Sequence, residues 1–197
     1  MGADKPGGRR AVFLDRDGVI NRNVLNPATG EYESPLTVDE FELADGVFEA
    51  MRALSAAGFL LFLVSNQPNY AKGKSSLEAL GSIHEKLLAG LAEEGIEFVC
   101  FYYCFHHPQG RTAGYSGPCE CRKPSPHFLL RAHAEFNVDL DRSWMVGDRL
   151  TDVECGKAAG TKTIFIHTGE SATVIGSHPD GIAPHLSAAV RLILAAE

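Results

Sequence analysis

Short apolar runs alternate with amphipathic segments along most of the chain. Five apolar runs predict β-strands: Ala11–Leu14, Phe59–Val64, Phe98–Tyr103, Ser143–Val146 and Thr163–Ile166. Five segments with helical periodicity predict α-helices: Val47–Ala57, Ser75–Glu94, Ser125–Phe136, Thr151–Ala159 and Ser187–Ala196. Because strands that alternate with helices pair in parallel and are covered on both faces, the pattern predicts an α/β fold with a mostly parallel central sheet.

Two stretches, Arg22 to Leu43 and Phe105 to Pro124, interrupt this alternation. Irregular segments of that length inside a compact domain usually carry function. Residues 1–10 are polar and rich in glycine and proline. We therefore expect a flexible N-terminal tail over residues 1–10, followed by a single domain over residues 11–197.

The composition narrows the possible functions. A formal net charge of −7 disfavours a general affinity for nucleic acid or for an anionic membrane surface. No apolar run approaches the ~18 residues of a membrane span, and the N-terminus lacks the apolar segment of a secretion signal, so we expect a cytoplasmic protein. No feature marks an obligate dimer face, so we expect a monomer whose partner is a small molecule.

Polar side chains follow three of the predicted strands at the points where they end. The first strand runs into Asp15-Arg16-Asp17-Gly18, and the second ends at Ser65-Asn66-Gln67. The fourth ends at Gly147-Asp148, with Asp152 four residues beyond Asp148. Because the carboxyl ends of parallel strands meet at one edge of a sheet, we expect these side chains to converge there.

Asp15 and Asp17 lie so close together that their charges repel unless a cation or a proton neutralises them. Mg²⁺ with oxygen ligands would do so and would leave one carboxylate able to attack phosphorus. We therefore predict Asp15 as nucleophile and metal ligand, Asp17 as general acid and base, and Asp148 as a further ligand. Asp152 is a ligand, an orienting residue or an ordinary acid near a helix start.

An anionic substrate requires local donors and positive charge. Ser65 and Asn66 offer a hydroxyl and an amide that can hold phosphoryl oxygens, although both residue types also cap turns. Lys123 would neutralise the phosphate and the attacking Asp15, and Arg122 could grip a substrate oxygen bidentately. A pair of basic residues taken alone is more often part of a solvated surface.

Cysteine and histidine spacing indicates a second metal site. Cys104-x-His106 is followed, after twelve residues, by Cys119-x-Cys121. Three sulfurs and one imidazole suit a tetrahedral zinc site, and four protein ligands leave no open position, so this zinc is expected to be structural. The intervening residues are rich in Gly, Pro and Ser, and a metal would fix the loop over residues 104–121. His107 is a neighbouring alternative, but the spacing favours His106.

The motifs resemble, in chain order, the four motifs of the haloacid dehalogenase superfamily. They are Asp15-x-Asp17-Gly18-Val19, Ser65-Asn66-Gln67, Lys123-Pro124 and Gly147-Asp148-x3-Asp152. Three further features narrow the resemblance to a part of this superfamily. They are the form of the first motif, the Cys-x-His-x12-Cys-x-Cys-Arg-Lys-Pro segment and the lack of a large cap insertion. They are similar to the D-glycero-D-manno-heptose-1,7-bisphosphate 7-phosphatases and to the neighbouring histidinol-phosphate phosphatases.

This resemblance implies a Rossmann-like three-layer sandwich with no large cap domain and a zinc-bound loop. It implies a Mg²⁺-dependent phosphomonoesterase that forms a phosphoaspartate at Asp15, with Mg²⁺ on Asp15, Asp148 and the main-chain carbonyl of Asp17. Structural Zn²⁺ would be held by Cys104, His106, Cys119 and Cys121. Substrate and phosphate binding would fall to Ser65, Asn66, Gln67, Lys72, Arg122 and Lys123.

Two loops depart from the family form. After the second motif the family usually continues Ser-Gly-Ile-Ala-Arg-Gly, whereas this chain has Pro68-Asn69-Tyr70-Ala71-Lys72-Gly73. Lys72 is expected to stand in for the arginine, although it lacks a planar bidentate grip. The segment Asn26 to Leu36 also looks longer and richer in turn residues than its counterpart.

Three hypotheses follow for the function. The leading one is hydrolysis of a small phosphorylated sugar, with heptose 1,7-bisphosphate as the expected substrate. The first alternative is a histidinol-phosphate phosphatase. The second is a non-catalytic module, either a switch phosphorylated at Asp15 or a zinc-stabilised binding domain, which the acid/base residue Asp17 disfavours.

Overall fold

The computed structural model of the protein describes residues 8–167 and 178–196. Its strands are β1 (Ala11–Leu14), β2 (Val24–Leu25), β3 (Tyr32–Glu33), β4 (Leu60–Asn66), β5 (Cys100–Cys104), β6 (Trp144–Gly147), β7 (Lys162–Ile166) and β8 (Gly181–Ala183). Its α-helices are α1 (Val47–Ala56), α2 (Leu77–Glu93), α3 (His127–Phe136), α4 (Leu150–Ala159) and α5 (Leu186–Ala195).

Six of the described strands form one sheet in the order β5-β4-β1-β6-β7-β8, and every neighbouring pair is parallel. The prediction of an α/β fold with a mostly parallel sheet is therefore confirmed. The five predicted strands and five predicted helices are all present, with ends that differ by one or two residues. Strand β8 and the antiparallel pair β2–β3 were not predicted, because each offers only two or three residues of pattern.

Strand β1 lies at the centre of the sheet and is buried on both faces, as parallel strands usually are. Val12 and Leu14 point into the apolar layer that α1, α2 and α5 cover, whereas Ala11 and Phe13 point into the layer that α3 and α4 cover. These two layers enclose the sheet in the expected three-layer sandwich, which leaves the carboxyl ends of the strands open at one edge.

Most of the predicted tail, residues 1–7, lies outside the described residues. The end of that predicted segment is bonded to the domain. The Arg9 backbone N–H donates to the carbonyl of Asn137 at 2.9 Å, and the Arg10 guanidinium donates to the carbonyl of Ala57 at 2.8 Å. Arg9 and Arg10, the last residues of the predicted tail, are therefore bonded to the domain that follows.

The two irregular stretches border the open edge of the sheet. The first contains the β2–β3 hairpin, in which the Asn26 side chain accepts a hydrogen bond from the Ala28 N–H and Gly30 takes a positive φ of 72°. These are turn features that asparagine and glycine favour. The second stretch, between β5 and α3, contains no strand or helix among its described residues.

Candidate active site

A cleft of about 410 Å³ opens at the carboxyl ends of the strands β1, β4 and β6. Its walls include polar residues that the sequence predicts for the site: Asp15, Asp17, Asn66, Arg122, Lys123, Asp148 and Asp152. The remaining lining comes from the hairpin, the loop after β4, the start of α4 and β7: Asn23, Tyr32, Ser34, Pro68, Arg149, Leu150, Thr151 and Phe165. The parallel sheet thus brings residues that are far apart in sequence to one edge.

Three buried acids form the deepest part of this cleft. Asp15, Asp148 and Asp152 each present a carboxylate oxygen, and these atoms lie within 4.8 Å of one another. One oxygen of Asp148 accepts from the Asn23 amide at 3.1 Å, while the other has no hydrogen-bond partner among the described residues. A buried carboxylate oxygen without a donor, beside two more acids, is a donor set that suits a hard divalent cation such as Mg²⁺.

The electrostatics of the three acids agree with that interpretation. Burial and, to a smaller extent, the charges of Asp15 and Asp152 raise the pKa of Asp148 to about 8, against the opposing effect of Arg149. Burial also raises the pKa of Asp15 to about 6, although Lys123 acts in the opposite direction. A bound cation would relieve this repulsion and keep the carboxylates ionised.

Gly18 closes the turn behind the acids. Its φ is +78°, in the region that glycine favours, and a Cβ at this position would collide with the carboxylate of Asp148. The glycine of the first motif is therefore required both by the backbone conformation and by the space that Asp148 occupies.

Lys123 is the cation that the protein itself supplies to this cluster. Its ammonium lies 3.0 Å from Asp15 and 2.6 Å from Asp152, and it donates to the carbonyl of Val64 at 2.7 Å. Burial alone would lower the pKa of Lys123, but the two carboxylates outweigh burial and raise it. Lys123 therefore stays protonated at the bottom of the cleft, beside the predicted nucleophile.

Asn66 holds the backbone of Lys123. Its side-chain carbonyl accepts from the Lys123 N–H, and its amide donates to the Lys123 carbonyl, both at 3.1 Å. Asp152 shares the task of fixing the lysine, because it pairs with the ammonium and also accepts from the Arg149 N–H at the start of α4. The sequence left the place of Asp152 open, and the structure puts it both near a helix start and in the acidic cluster.

Asp17 faces a different set of partners. The buried guanidinium of Arg16 forks onto its carboxylate, with Nε at 3.0 Å, and the Gln67 amide donates to it at 2.6 Å. Burial would raise the pKa of Asp17, but Arg16 and hydrogen bonds from Gln67, Ser34 and Asn21 together lower it. Asp17 is therefore held as a carboxylate, and its side chain lies outside the cluster of three acids.

This network takes up two residues that were expected to contact phosphate. The Gln67 amide donates both to Asp17 and to the Ser65 hydroxyl oxygen, at 3.0 Å for the latter, and both residues are almost fully buried. Neither is among the described residues that line the cleft. Arg16 supports Asp17, a role that the sequence did not reveal. Its position between the two acids Asp15 and Asp17 was the one sequence feature that could have indicated this role.

The Cys/His cluster forms beside the acidic one. The sulfur of Cys119 lies 3.6 Å from Cys104 and 3.8 Å from Cys121, and His106 Nδ1 lies 3.9 Å from Cys104. All four ligand atoms lie within 4.8 Å of one another. Tetrahedral ligands at about 2.3 Å from zinc lie about 3.8 Å apart, so the residues fit the ion. His107 lies elsewhere and accepts a hydrogen bond from the Gln109 N–H.

The loop that carries this cluster packs on the loop after β4. The backbone N–H groups of Arg111 and Thr112 both donate to the carbonyl of Ala71, at 2.6 and 3.1 Å. The ring of Tyr115 meets the ring of Tyr70 edge to face, with centroids 4.8 Å apart. The Cys/His loop therefore supports the segment of residues 68–74, which departs from the family form.

Three basic side chains gather near the mouth of the cleft. Arg122 and Arg149 line it, and burial together with the positive charges of Lys74, Arg122 and Arg149 lowers the pKa of Lys72. The Arg122 guanidinium donates to the carbonyl of His106 at 3.2 Å, which ties it to the Cys/His loop. Arg149 was missed in the sequence, where its position directly after Asp148 was the only signal.

Comparisons with known proteins agree with this site. A profile of haloacid-dehalogenase-like (HAD-like) hydrolases matches residues 120–189. D-glycero-beta-D-manno-heptose-1,7-bisphosphate 7-phosphatase from Yersinia pestis is 40% identical over 168 residues, which cover 84% of this chain and 85% of that protein. The enzyme of the same name from Vibrio cholerae is 41% identical over 169 residues, covering 84% and 86%. The chain belongs to this family of HAD-like phosphatases.

The fold comparison extends the result to the three-dimensional arrangement. A crystal structure of D,D-heptose 1,7-bisphosphate phosphatase from B. bronchiseptica, complexed with magnesium and phosphate, superposes with a TM-score of 0.79 at 26% identity. The match covers 95% of this chain and 99% of that one. The expected enzyme class, a phosphoric monoester hydrolase, is confirmed at the level of the HAD-like phosphatase family. None of the described helices is long and apolar enough to cross a membrane.

Proposed function

We propose that the protein is a Mg²⁺-dependent phosphomonoesterase that hydrolyses D-glycero-D-manno-heptose 1,7-bisphosphate through a phosphoaspartate at Asp15. The observation that carries this proposal is the buried cluster at the bottom of the cleft, where Asp15 pairs with Lys123 and lies beside the acids Asp148 and Asp152. The relatives named for this activity, at about 40% identity, support the choice of substrate. We further propose that it acts in the cytoplasm as a monomer, with residues 11–197 as its single domain.

Asp15, Asp148 and the main-chain carbonyl of Asp17 would hold the Mg²⁺ ion. When bound, the ion supplies positive charge that polarises the phosphoryl group and keeps the carboxylates ionised. Asp152 contributes to the same charge balance through its pair with Lys123. Zn²⁺ would be held by Cys104, His106, Cys119 and Cys121 as a structural ion.

The chain's own residues then carry two steps. In the first, an oxygen of Asp15 attacks phosphorus and the bond to the leaving oxygen breaks, while Asp17 accepts the proton of the entering phosphate monoanion and passes it to the leaving oxygen. In the second, Asp17 takes a proton from water, the water oxygen attacks phosphorus, and the bond to Asp15 breaks to release inorganic phosphate. Arg16 and Gln67 hold Asp17 ionised, the form that accepts a proton in the second step.

The positive residues divide the binding of a bisphosphate between them. Lys123 lies beside Asp15 and meets the phosphoryl group under attack, and Asn66 keeps its backbone in place. Arg122, Arg149 and Lys72 lie nearer the mouth, where a second phosphate of the same substrate would lie. Such a distal charge cluster favours a bisphosphate over a monophosphate with a neutral or cationic leaving group.

The test is a side-by-side assay of phosphate release from heptose 1,7-bisphosphate and histidinol phosphate with Mg²⁺ present. We expect kcat/KM for the heptose substrate to exceed that for histidinol phosphate by at least about a hundredfold, since a built ionic contact is lost with the latter. A preference for histidinol phosphate would overturn the substrate assignment. Release of at most one phosphate per protein from every phosphoester would overturn the enzymatic proposal and favour the phosphorylated switch.

A further inference from the structure

The β2–β3 hairpin forms one wall of the cleft. Val24 pairs with Glu33, and Leu25 pairs with Tyr32, in an antiparallel register. Since successive side chains of a strand point to opposite faces, Tyr32 and Glu33 face different surroundings. Tyr32 lines the cleft, while Glu33 reaches the loop that follows β4.

Glu33 fastens the hairpin to that loop. One of its carboxylate oxygens lies 2.7 Å from the ammonium of Lys74, and the other accepts from the Asn26 amide at 3.0 Å. Lys74 is itself fixed, because its backbone N–H donates to the carbonyl of Asn69 at 2.8 Å. The pair therefore joins the β2–β3 hairpin to the end of the loop after β4.

The base of the hairpin is also tied to the catalytic end of the cleft. Ser34 follows Glu33, lines the cleft and bonds the carboxylate of Asp17. Two contacts therefore fix the chain directly after Tyr32, one from Glu33 to Lys74 and one from Ser34 to Asp17, and they limit where the ring can lie in the cleft.

The cleft wall is mostly polar, and Tyr32 is one of its few apolar surfaces. The others are Pro68, Leu150 and Phe165. Charged groups account for the two phosphates of the proposed substrate but leave its carbon skeleton without a contact. Tyr32, an aromatic residue that is 39% exposed and lines this cleft, offers such a surface.

We propose that Tyr32 is a specificity-determining residue that packs on the carbon skeleton of the leaving group, and that the Glu33–Lys74 pair positions it. This inference rests on the proposed function, since it takes the reacting phosphate to lie at Asp15. The hairpin would then discriminate between substrates, a task for which this chain has no large cap domain.

The first experiment measures kcat/KM for the sugar phosphate and for acetyl phosphate, which has no carbon ring. For Tyr32→Ala we expect the ratio of the two values to fall about tenfold, mainly through a higher KM for the sugar. Tyr32→Phe should keep the wild-type ratio, because the ring surface remains. The matched control is Leu25→Ala, which truncates the cross-strand neighbour that is exposed and is not among the described residues lining the cleft.

Two outcomes would overturn the role of Tyr32. One is an equal loss with both substrates in Tyr32→Ala, which marks a folding or chemical defect, and the other is no loss with either substrate; the ratio is unchanged in both cases. A different result is that the wild-type protein fails to hydrolyse the heptose substrate and turns over another ring phosphoester. That result would contradict the proposed substrate and leave the role of Tyr32 open to the same test. The same ratio can then be measured with that ester, so the two failures are distinguishable.

The second experiment tests the positioning pair. Glu33→Gln and Lys74→Gln should each raise the KM for the sugar phosphate about two- to fivefold with little change in kcat, since an exposed ion pair contributes modestly. The exchanged double variant Glu33→Lys with Lys74→Glu should restore most of the loss. Glu31→Gln, an exposed carboxylate in the same turn, serves as the control. Failure of the exchanged pair to restore KM would show that Tyr32 is held by other contacts.

Discussion

The acidic cluster and the Cys/His cluster lie side by side, but the fold builds them in different ways. Asp15, Asp148 and Asp152 lie at strand ends or in the first turn of α4, and Lys123 already neutralises part of their charge. The Cys/His ligands begin at the end of β5 and continue in a stretch without strand or helix among its described residues. One centre is shaped by the sheet, whereas the other lies in an irregular loop that is held by loop hydrogen bonds and by its contacts with the loop after β4.

This difference teaches how a metal contributes to each region. In the acidic cluster the geometry exists before the ion binds, so the ion changes charge and reactivity more than shape. In the Cys/His loop, burial is the main cause that raises the pKa of the Cys104 and Cys121 thiols. A bound ion would favour their ionised form and add order to the loop.

The largest expected effect comes from Asp15→Asn, which removes the nucleophile and leaves the Cys/His loop intact. We expect phosphate release to fall by at least about a thousandfold, because a neutral amide cannot form the phosphoaspartate. Circular dichroism and zinc content should match the wild type. Phosphate release close to the wild-type rate would contradict the assignment of the nucleophile.

The reverse disturbance is Cys119→Ser, which breaks the loop and leaves every acid in place. We expect loss of bound zinc, rapid proteolysis within residues 107–118 and a fall in kcat/KM of about a hundredfold, because Arg122 and Lys123 follow the loop directly. Helix content should be retained, as the sheet does not depend on the loop. The control is Cys100→Ser, a half-buried thiol outside the cluster; equal zinc loss in both variants would contradict the four-ligand site.

In the acidic cluster, the stabilisation of the fold by Mg²⁺ is expected to depend on pH. The folded pKa of Asp148, about 8, is raised above the unfolded value of about 3.9, so its protonated form stabilises the metal-free fold at low pH. That contribution is lost as pH rises from about 4 through 8. We therefore expect Mg²⁺ to raise Tm more at pH 8 than at pH 5, measured by thermal denaturation with and without the ion. Asp148→Asn should reduce this difference to the part that Asp15, with a pKa of about 6, contributes, and a Mg²⁺ effect that is larger at pH 5 would contradict it.

The smallest expected effect concerns the contact that joins the Cys/His loop to the loop after β4. A double-mutant cycle of Tyr70→Ala and Tyr115→Ala should give a coupling of about 1 kcal/mol in the free energy of unfolding, as edge-to-face aromatic pairs do. Urea denaturation of the four proteins measures it. Strict additivity would show that the ring contact adds nothing to the hydrogen bonds that Arg111 and Thr112 donate to the carbonyls of Tyr70 and Ala71.

The sequence was most informative where chemistry depends on strand ends. The order of apolar runs placed Asp15, Asn66 and Asp148 at one edge, because a parallel sheet aligns its carboxyl ends whatever the details of packing. The spacing of Cys104 and His106 selected the histidine that the structure places in the cluster. These inferences needed only periodicity and ligand chemistry.

Side-chain partners within the site could not be predicted in the same way. Asn66 holds the backbone of Lys123, and Gln67 faces Asp17, because tertiary packing determines which of several polar groups an amide meets. The β2–β3 hairpin was equally hidden, since strands of two residues carry no period. The tertiary structure shows that this hairpin contributes Tyr32 to the wall of the cleft.

Cys121, Arg122 and Lys123 are consecutive, so a single short peptide contributes residues to the Cys/His cluster and to the surroundings of the acidic cluster. The tripeptide sets the distance between the two clusters, because Cys121 places its sulfur in the Cys/His cluster and Lys123 places its ammonium beside Asp15. An insertion or deletion of one residue here would turn the lysine out of the cleft without altering a single ligand. The length of this stretch is therefore expected to tolerate less change than the identity of most residues in the twelve-residue loop before it.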